Sequence, residues 1–454
     1  MMRKKVSIQK KPVWESRFSR LSLFFVILGI CGLLVHSAEQ QVVAIKGGTV
    51  LTITGKTYEN GMVLIKDGKI EKVGKNARVP KGASVIDASG KYVMPGIIDA
   101  MTYYGIRPFA RNVPQPVTPE NRIADAYYVF GDLFKGEGGI VAESELLCGG
   151  ITTVYIAPGD SQLISGQGAV LKTNGKTYDS MRVRDPASIG MTIAYAPMGQ
   201  YGMPAANQPT RMSSMALLRK TLMGAGEYAK KVMDYNSKSE EEKEKAAKLP
   251  RDLGNEALSK MLNREIPARI EADYVDDILA AIRIAEEFNL DLVIDSGIGA
   301  YRIRDILAKK KIPVVLGPPS HPFGFSHYDN LMEIQELEDE RNAALLSEAG
   351  VKIAFGSHSL DYGGSGKATQ GRWLLLDAAL AVSYGLSEDT ALKALTINAA
   401  EILGVDKRIG SLEKGKDADV IILSGHPLKT ESLVEHVFID GIHSYERKAG
   451  PEIQ

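Results

Sequence analysis

Imidazoles and thiols are the side chains best suited to hold a soft or borderline metal, and this sequence is sparing with both. It has seven histidines (His36, His321, His327, His358, His426, His436 and His443) and two cysteines, Cys31 and Cys148. Two thiols, one of them in an N-terminal apolar run, exclude a zinc site built on cysteine and leave no internal disulfide. His321 and His327 fall in HPFGFSH, a loop after PVVLGPPS, and read as surface or packing residues. GGSGKAT (363–369) resembles a phosphate loop but has Asp361 and Ala368 where that motif needs Gly and Ser or Thr. It reads instead as a loop over a pocket mouth, with Tyr103-Tyr104 and YGMPAANQPTRM (201–212) as further candidates for the lining.

The 454 residues are 44% hydrophobic and 24% charged, which excludes wholesale disorder and a multi-span membrane protein. Lys+Arg and Asp+Glu are both 55. Residues 1–38 hold seven basic residues and one acid, so the remainder, with 48 basic and 54 acidic residues, carries −6. An acidic body argues against nucleic acid as a partner. The basic start is followed by the uncharged run Leu21 to Val35, too short for the ~20 residues of a membrane span and suited to the core of an export signal. Cleavage after Ser37 or Ala38 is the expectation, to a periplasmic or extracellular location; an uncleaved segment would act as an anchor.

Positioning any reactive group falls to two kinds of element. Residues 41–93 cluster β-formers (VVAIKGGTVLTI, MVLIKDGKIEKVG, SVIDASGKYVM), with Asp67-Gly68 and Ser89-Gly90 where tight turns belong. From about residue 96, strand-like runs such as ITTVYIAP, PARIEAD, LDLVIDSG, PVVLGPP and VKIAFGSHS alternate with helical ones such as VDDILAAIRIAEEFN. That alternation over about 300 residues matches a (β/α)8 TIM-type barrel. β character returns after Lys414 in DADVIILSG and HVFIDGIHSYER. The expected fold is α/β: a barrel with a small β-sandwich built from both termini. The expected parts are a signal peptide at 1–38, the sandwich at 39–95 and 406–454, and the barrel at 96–405. The charge run at 236–248 reads as a solvated helix or loop.

The segments KGGTVLT, VLIKDGKIEKVG and VIDASGKYVMPGIIDA resemble the opening of metal-dependent amidohydrolases. The segment ALKALTINAAEILGVDKRIGSLEKGKDADVIIL resembles their close, and GGITTVYIAPGDSQLISGQGAVLKTNG is similar to the exported, imidazolonepropionase-like branch. The resemblance runs from about residue 43 to 447. It implies a pocket at the C-terminal ends of the barrel strands, but function has to be argued from the site.

By that resemblance the first barrel strand ends in His-x-His, whose alternate side chains hold one metal. Met101 and Tyr103 stand there. The strand that carries a histidine pair in the related branch has Glu271 and Asp273, and the strand after it has Asp295-Ser296 in place of a final histidine. The general-base Asp of the last strand is replaced by His358, with Asp361 as a displaced substitute. A thioether and a phenol are poor zinc ligands. No cofactor is expected; the alternative is a divalent cation, hard and oxygen-bound, on Glu271, Asp273 and Asp295. Otherwise those carboxylates pair with basic side chains such as Arg211 or Lys172 or face a cationic ligand.

Three readings follow. The first is a secreted, catalytically degenerate amidohydrolase that binds a small-molecule ligand or acts as a partner subunit to a homologous active amidohydrolase or to itself. The second is an active hydrolase of C–N bonds, in non-peptide amides or dipeptides, with an atypical acidic metal site. The third is a metal-free enzyme using His358 with a carboxylate.

Overall fold

A computed structural model describes residues 42–75, 78–106, 115–129, 143–159, 162–193, 210–317, 339–358 and 371–448. The expected signal, His321, His327, Asp361 and the GGSGKAT segment lie outside the described residues.

The N-terminal strands are β1 (Val42–Leu51), β2 (Thr57–Lys66), β3 (Lys69–Gly74), β4 (Ser84–Asp87) and β5 (Tyr92–Pro95). The barrel strands are β6 (Ile97–Thr102), β7 (Ile151–Ile156), β8 (Ile164–Lys172), β9 (Arg182–Thr192), β10 (Ala268–Ala272), β11 (Leu292–Ser296), β12 (Val314–Leu316) and β13 (Ile353–Phe355). The closing strands are β14 (Val420–Leu423), β15 (Val434–Ile439) and β16 (Ile442–Glu446).

Both ends of the chain enter one sheet, in the order β16-β15-β14-β5-β1-β2-β3, with β4 beside β1. Asp67 and Gly68 both take positive φ, as a two-residue hairpin between Lys66 and Lys69 requires, and Asp440-Gly441 repeats the device between β15 and β16. Val43, Ile45, Val63, Ile65, Val420, Ile422 and Phe438 form the apolar interior of this domain.

The second sheet runs β6 to β13 in chain order. Its first and last strands meet through the amide of His358, which donates to the Met101 carbonyl at 2.9 Å, so the barrel is nearly closed. A side chain at Gly356 would put its Cβ 2.7 Å from that of Met101, so this seam needs glycine. The barrel departs from eight parallel strands in one place: β8 is antiparallel to both β7 and β9. Only residues 157–163 join β7 to β8, too few for the crossover that a parallel pair needs. The remaining barrel pairs are parallel, with amphipathic helices between them, among them Val275–Glu287 and Arg304–Lys310.

The long helix Arg211–Asn236 begins at Thr210, whose hydroxyl accepts from the Ser213 amide. In the charge run, Ser239 and Glu242 form a capping box on the helix Glu240–Lys245, which buries none of its side chains. No described helix is long and apolar enough to cross a membrane.

Barrel and sheet domain are joined by a buried cation. Lys172, at the end of β8, lies against Asp419, 3.2 Å from Asp417 and 3.4 Å from Asp440. Burial alone would favour the neutral amine, but the surrounding carboxylates raise its affinity for the proton. Lys172 therefore does not serve the acidic residues of the barrel mouth, contrary to one of the pairings expected from sequence.

Candidate functional site

In β10 the sequence Ala-Arg-Ile-Glu-Ala alternates, so Arg269 and Glu271 share one face of the strand. Arg269 is 2% exposed. Its Nε donates to Asp295 Oδ2 at 2.9 Å, and its Nη2 donates to Asp295 Oδ1 and, at 2.8 Å, to the Ala100 carbonyl. The guanidinium stacks 3.8 Å above the Tyr155 ring, whose hydroxyl pairs with Ser188 Oγ at 2.6 Å. Burial works against the charge on Arg269, but Asp295 more than compensates and holds the guanidinium protonated. Burial also pushes the Tyr155 phenol up to about 12. A bidentate ion pair, a carbonyl and an aromatic face thus fix one positive charge inside the barrel.

Among the described residues, Glu271, Asp273 and Asp295 do not converge on one point. Glu271 stands opposite Asp295 in the β10–β11 register, but Asp295 is committed to Arg269. Glu271 Oε2 accepts from the Thr192 hydroxyl at 3.4 Å. The three do not form a group whose donor atoms all lie within 4.8 Å of one another. Arg211 does reach this neighbourhood, but its partner is Asp277, at 2.5 Å. Burial raises the Asp277 carboxyl to about 6, with Arg211 opposing and Asp273 adding to the rise. The cation that neutralises Asp295 is Arg269, two residues before Glu271 on the same strand. The sequence carried the signal: an arginine in an otherwise apolar strand, on the same face as the acid already singled out.

Met101 and Tyr103 are core residues, 3% and 4% exposed, packed with Ile98, Tyr155, Val293 and Val315 inside the barrel. Tyr104 is also buried and meets Tyr127 edge-on at 6.4 Å. Ser296 has φ 73° at the end of β11 and is followed by Gly297 with φ 60°, a sharp exit from the strand. His358, with φ 45°, turns its ring toward Gly317 at the end of β12; a Cβ there would lie 3.5 Å from its Cδ2.

A second buried acid was passed over in sequence. Asp99 accepts from the Ser357 amide at 2.9 Å, the Ser357 hydroxyl at 2.6 Å and the Met101 amide at 3.3 Å. Burial nevertheless raises its carboxyl to about 6. Asp377, on the helix Leu374–Ser383, is raised to about 7 by burial and by the charge of Asp99.

The donor set at the positions that the resemblance singles out does not suit zinc. Zinc takes imidazole, thiolate or carboxylate. Here it would meet a thioether and a phenol in apolar packing, a carboxylate already bound, and a permanent guanidinium charge that repels it.

The Amidohydrolase family model matches residues 253–442. The amidohydrolase of Thermotoga maritima MSB8, a solved structure, is 35% identical with a TM-score of 0.77, covering 89% of this chain and 100% of that one. The probable imidazolonepropionase of Xenopus tropicalis is 26% identical, covering 91% of this chain and 95% of that protein. Amidohydrolase tasK of Hapsidospora irregularis is 24% identical over 85% of this chain, which spans 40% of that protein's length. With one family described by barrel, sheet domain and relatives alike, the chain belongs to the amidohydrolase superfamily, in its imidazolonepropionase-like branch.

Proposed function

We propose that this chain is an exported amidohydrolase-family protein that does not perform metal-assisted hydrolysis and acts as a ligand-binding or partner subunit. The observation that carries the reading is the buried Arg269, bidentate to Asp295 and stacked on Tyr155. Metal-assisted hydrolysis needs a cation that brings bound water to a pKa near 7 and polarises a carbonyl. A guanidinium donates hydrogen bonds but is not a Lewis acid, and its charge opposes a divalent ion beside it. Nη1 of Arg269 has no hydrogen-bond partner among the described residues, so a ligand's acceptor oxygen suits this interior better than a cation does.

Export is supported by the basic start and the apolar run Leu21 to Val35. The partner role is open to a homologous active amidohydrolase or to a second copy of the chain; the acidic body disfavours nucleic acid.

The test is a hydrolysis screen of the full chain on dipeptides, N-acyl amino acids and cyclic amides, each with added zinc, manganese or calcium. No turnover above the uncatalysed rate is expected under any condition. Metal-dependent turnover that disappears in Asp273→Asn would overturn the proposal in favour of an acidic-site hydrolase.

A further inference from the structure

The hairpin of β15 and β16 carries two of the chain's seven histidines on one face, far along the sheet order from the barrel seam. His436 is paired across the strands with Glu446, and Phe438 with His443. In a regular strand, residues 443 and 446 would point to opposite faces, because side chains alternate. They do not here, because the pairing slips by one residue between Val437 and Phe438. The bulge leaves Ser444 as the extra residue and turns His443 and Glu446 to the same side. Ser444 is itself pinned: Asn174 donates to its hydroxyl oxygen at 2.6 Å, and that hydroxyl donates to the Ile442 carbonyl at 3.1 Å. The ring of His443 stacks on Phe438 with centroids 4.7 Å apart and planes 16° apart, which limits its rotation.

The result is a convergence of three donors. His436 Nδ1 and His443 Nε2 share a hydrogen bond at 3.1 Å, whose proton a metal ion would displace, and one ligand atom from each of His436, His443 and Glu446 lies within 4.8 Å of the others. Two nitrogens bound to one tetrahedral zinc at about 2.0–2.1 Å are about 3.3 Å apart, so the observed spacing is close to that of a chelate. The surrounding charges leave room for a cation. Lys91 is the nearby base, and it is paired with Glu435 at 2.6 Å. Glu446 supplies the negative charge directly across from His436.

We propose that His436, His443 and Glu446 form a divalent zinc site on the sheet domain, separate from the barrel interior. Two imidazoles and a carboxylate are a borderline donor set that favours zinc over calcium or magnesium. The site faces solvent, with His443 and Glu446 exposed, so water completes the coordination.

Equilibrium dialysis of the full chain against zinc near pH 7.5 tests this, with cobalt(II) as a spectroscopic stand-in. The wild type should bind one equivalent, and cobalt should give the visible bands of a tetrahedral nitrogen and oxygen site. His436→Ala and His443→Ala should each weaken zinc binding at least about tenfold, with unchanged far-ultraviolet circular dichroism. If removing His436 disturbs the fold, His443→Gln, at an exposed position, carries the same expectation. The proposal is overturned if the wild type takes up no zinc, or if zinc affinity is unchanged in His443→Gln.

Discussion

Arg269 is a fully buried charge inside the barrel, paired with Asp295, one of the residues that the family resemblance singled out. Arg269 was not singled out in sequence, although strand alternation puts it on the face of Glu271; its partner was not legible at all. Which acid an arginine meets depends on the neighbouring strand, and the β10–β11 register is a property of the fold. The same limit applied to Lys172, whose partners Asp417 and Asp419 lie about 250 residues away in sequence. Met101 and Tyr103 were legible as poor ligands, because that follows from side-chain type. Removing one partner of a buried pair leaves the other charge uncompensated, so Arg269→Met should destabilise the fold by about 3–5 kcal/mol. The double variant Arg269→Met/Asp295→Leu should recover most of that loss. Urea unfolding measures both. If Arg269→Met unfolds at the wild-type midpoint, the ion pair does not organise the interior.

At the scale of elements, the strand and helix runs of the barrel were largely legible from their alternation, and the Asp-Gly hairpin from its dipeptide. The antiparallel course of β8 was not read, although its cause, a short connection after β7, is written in the sequence. The seam between β6 and β13 was equally hidden. Asp99 belongs to the motif PGIIDA, which opens β6, yet its contact is Ser357, 258 residues on. The charge of Asp99 links the seam to the helix Leu374–Ser383, and burial of Asp99 and Asp377 gives it a pH dependence. Both folded-state carboxyls are raised, to about 6 and about 7, above the unfolded value near 4. The folded state then binds more protons than the unfolded state between those limits. Its stability is highest below about pH 4 with respect to these groups and falls as pH rises toward 7. Asp377→Asn removes one of them. Between pH 4 and pH 8 the wild type should lose on the order of 2–4 kcal/mol that this variant retains, read from urea unfolding at each pH. Parallel curves for the two chains would show that Asp377 ionises as it does in water.

Across the whole molecule, the sheet domain and the barrel place two sets of metal-ligand chemistry apart. The barrel interior, where the superfamily's metal is expected, holds a fixed guanidinium, while the histidines that converge sit on the β15–β16 hairpin. The sequence showed that histidines were scarce in the barrel, but not that two of those in the closing strands meet. That meeting depends on a one-residue bulge. Any zinc found on the wild-type chain is therefore ambiguous until the hairpin site is removed. The decisive measurement is elemental analysis of the His436→Ala/His443→Ala chain, purified with zinc present and without chelator. A barrel governed by the Arg269–Asp295 pair predicts less than about 0.1 equivalent of zinc per chain. Near-stoichiometric zinc that is lost on further substitution of Asp273→Asn would contradict it.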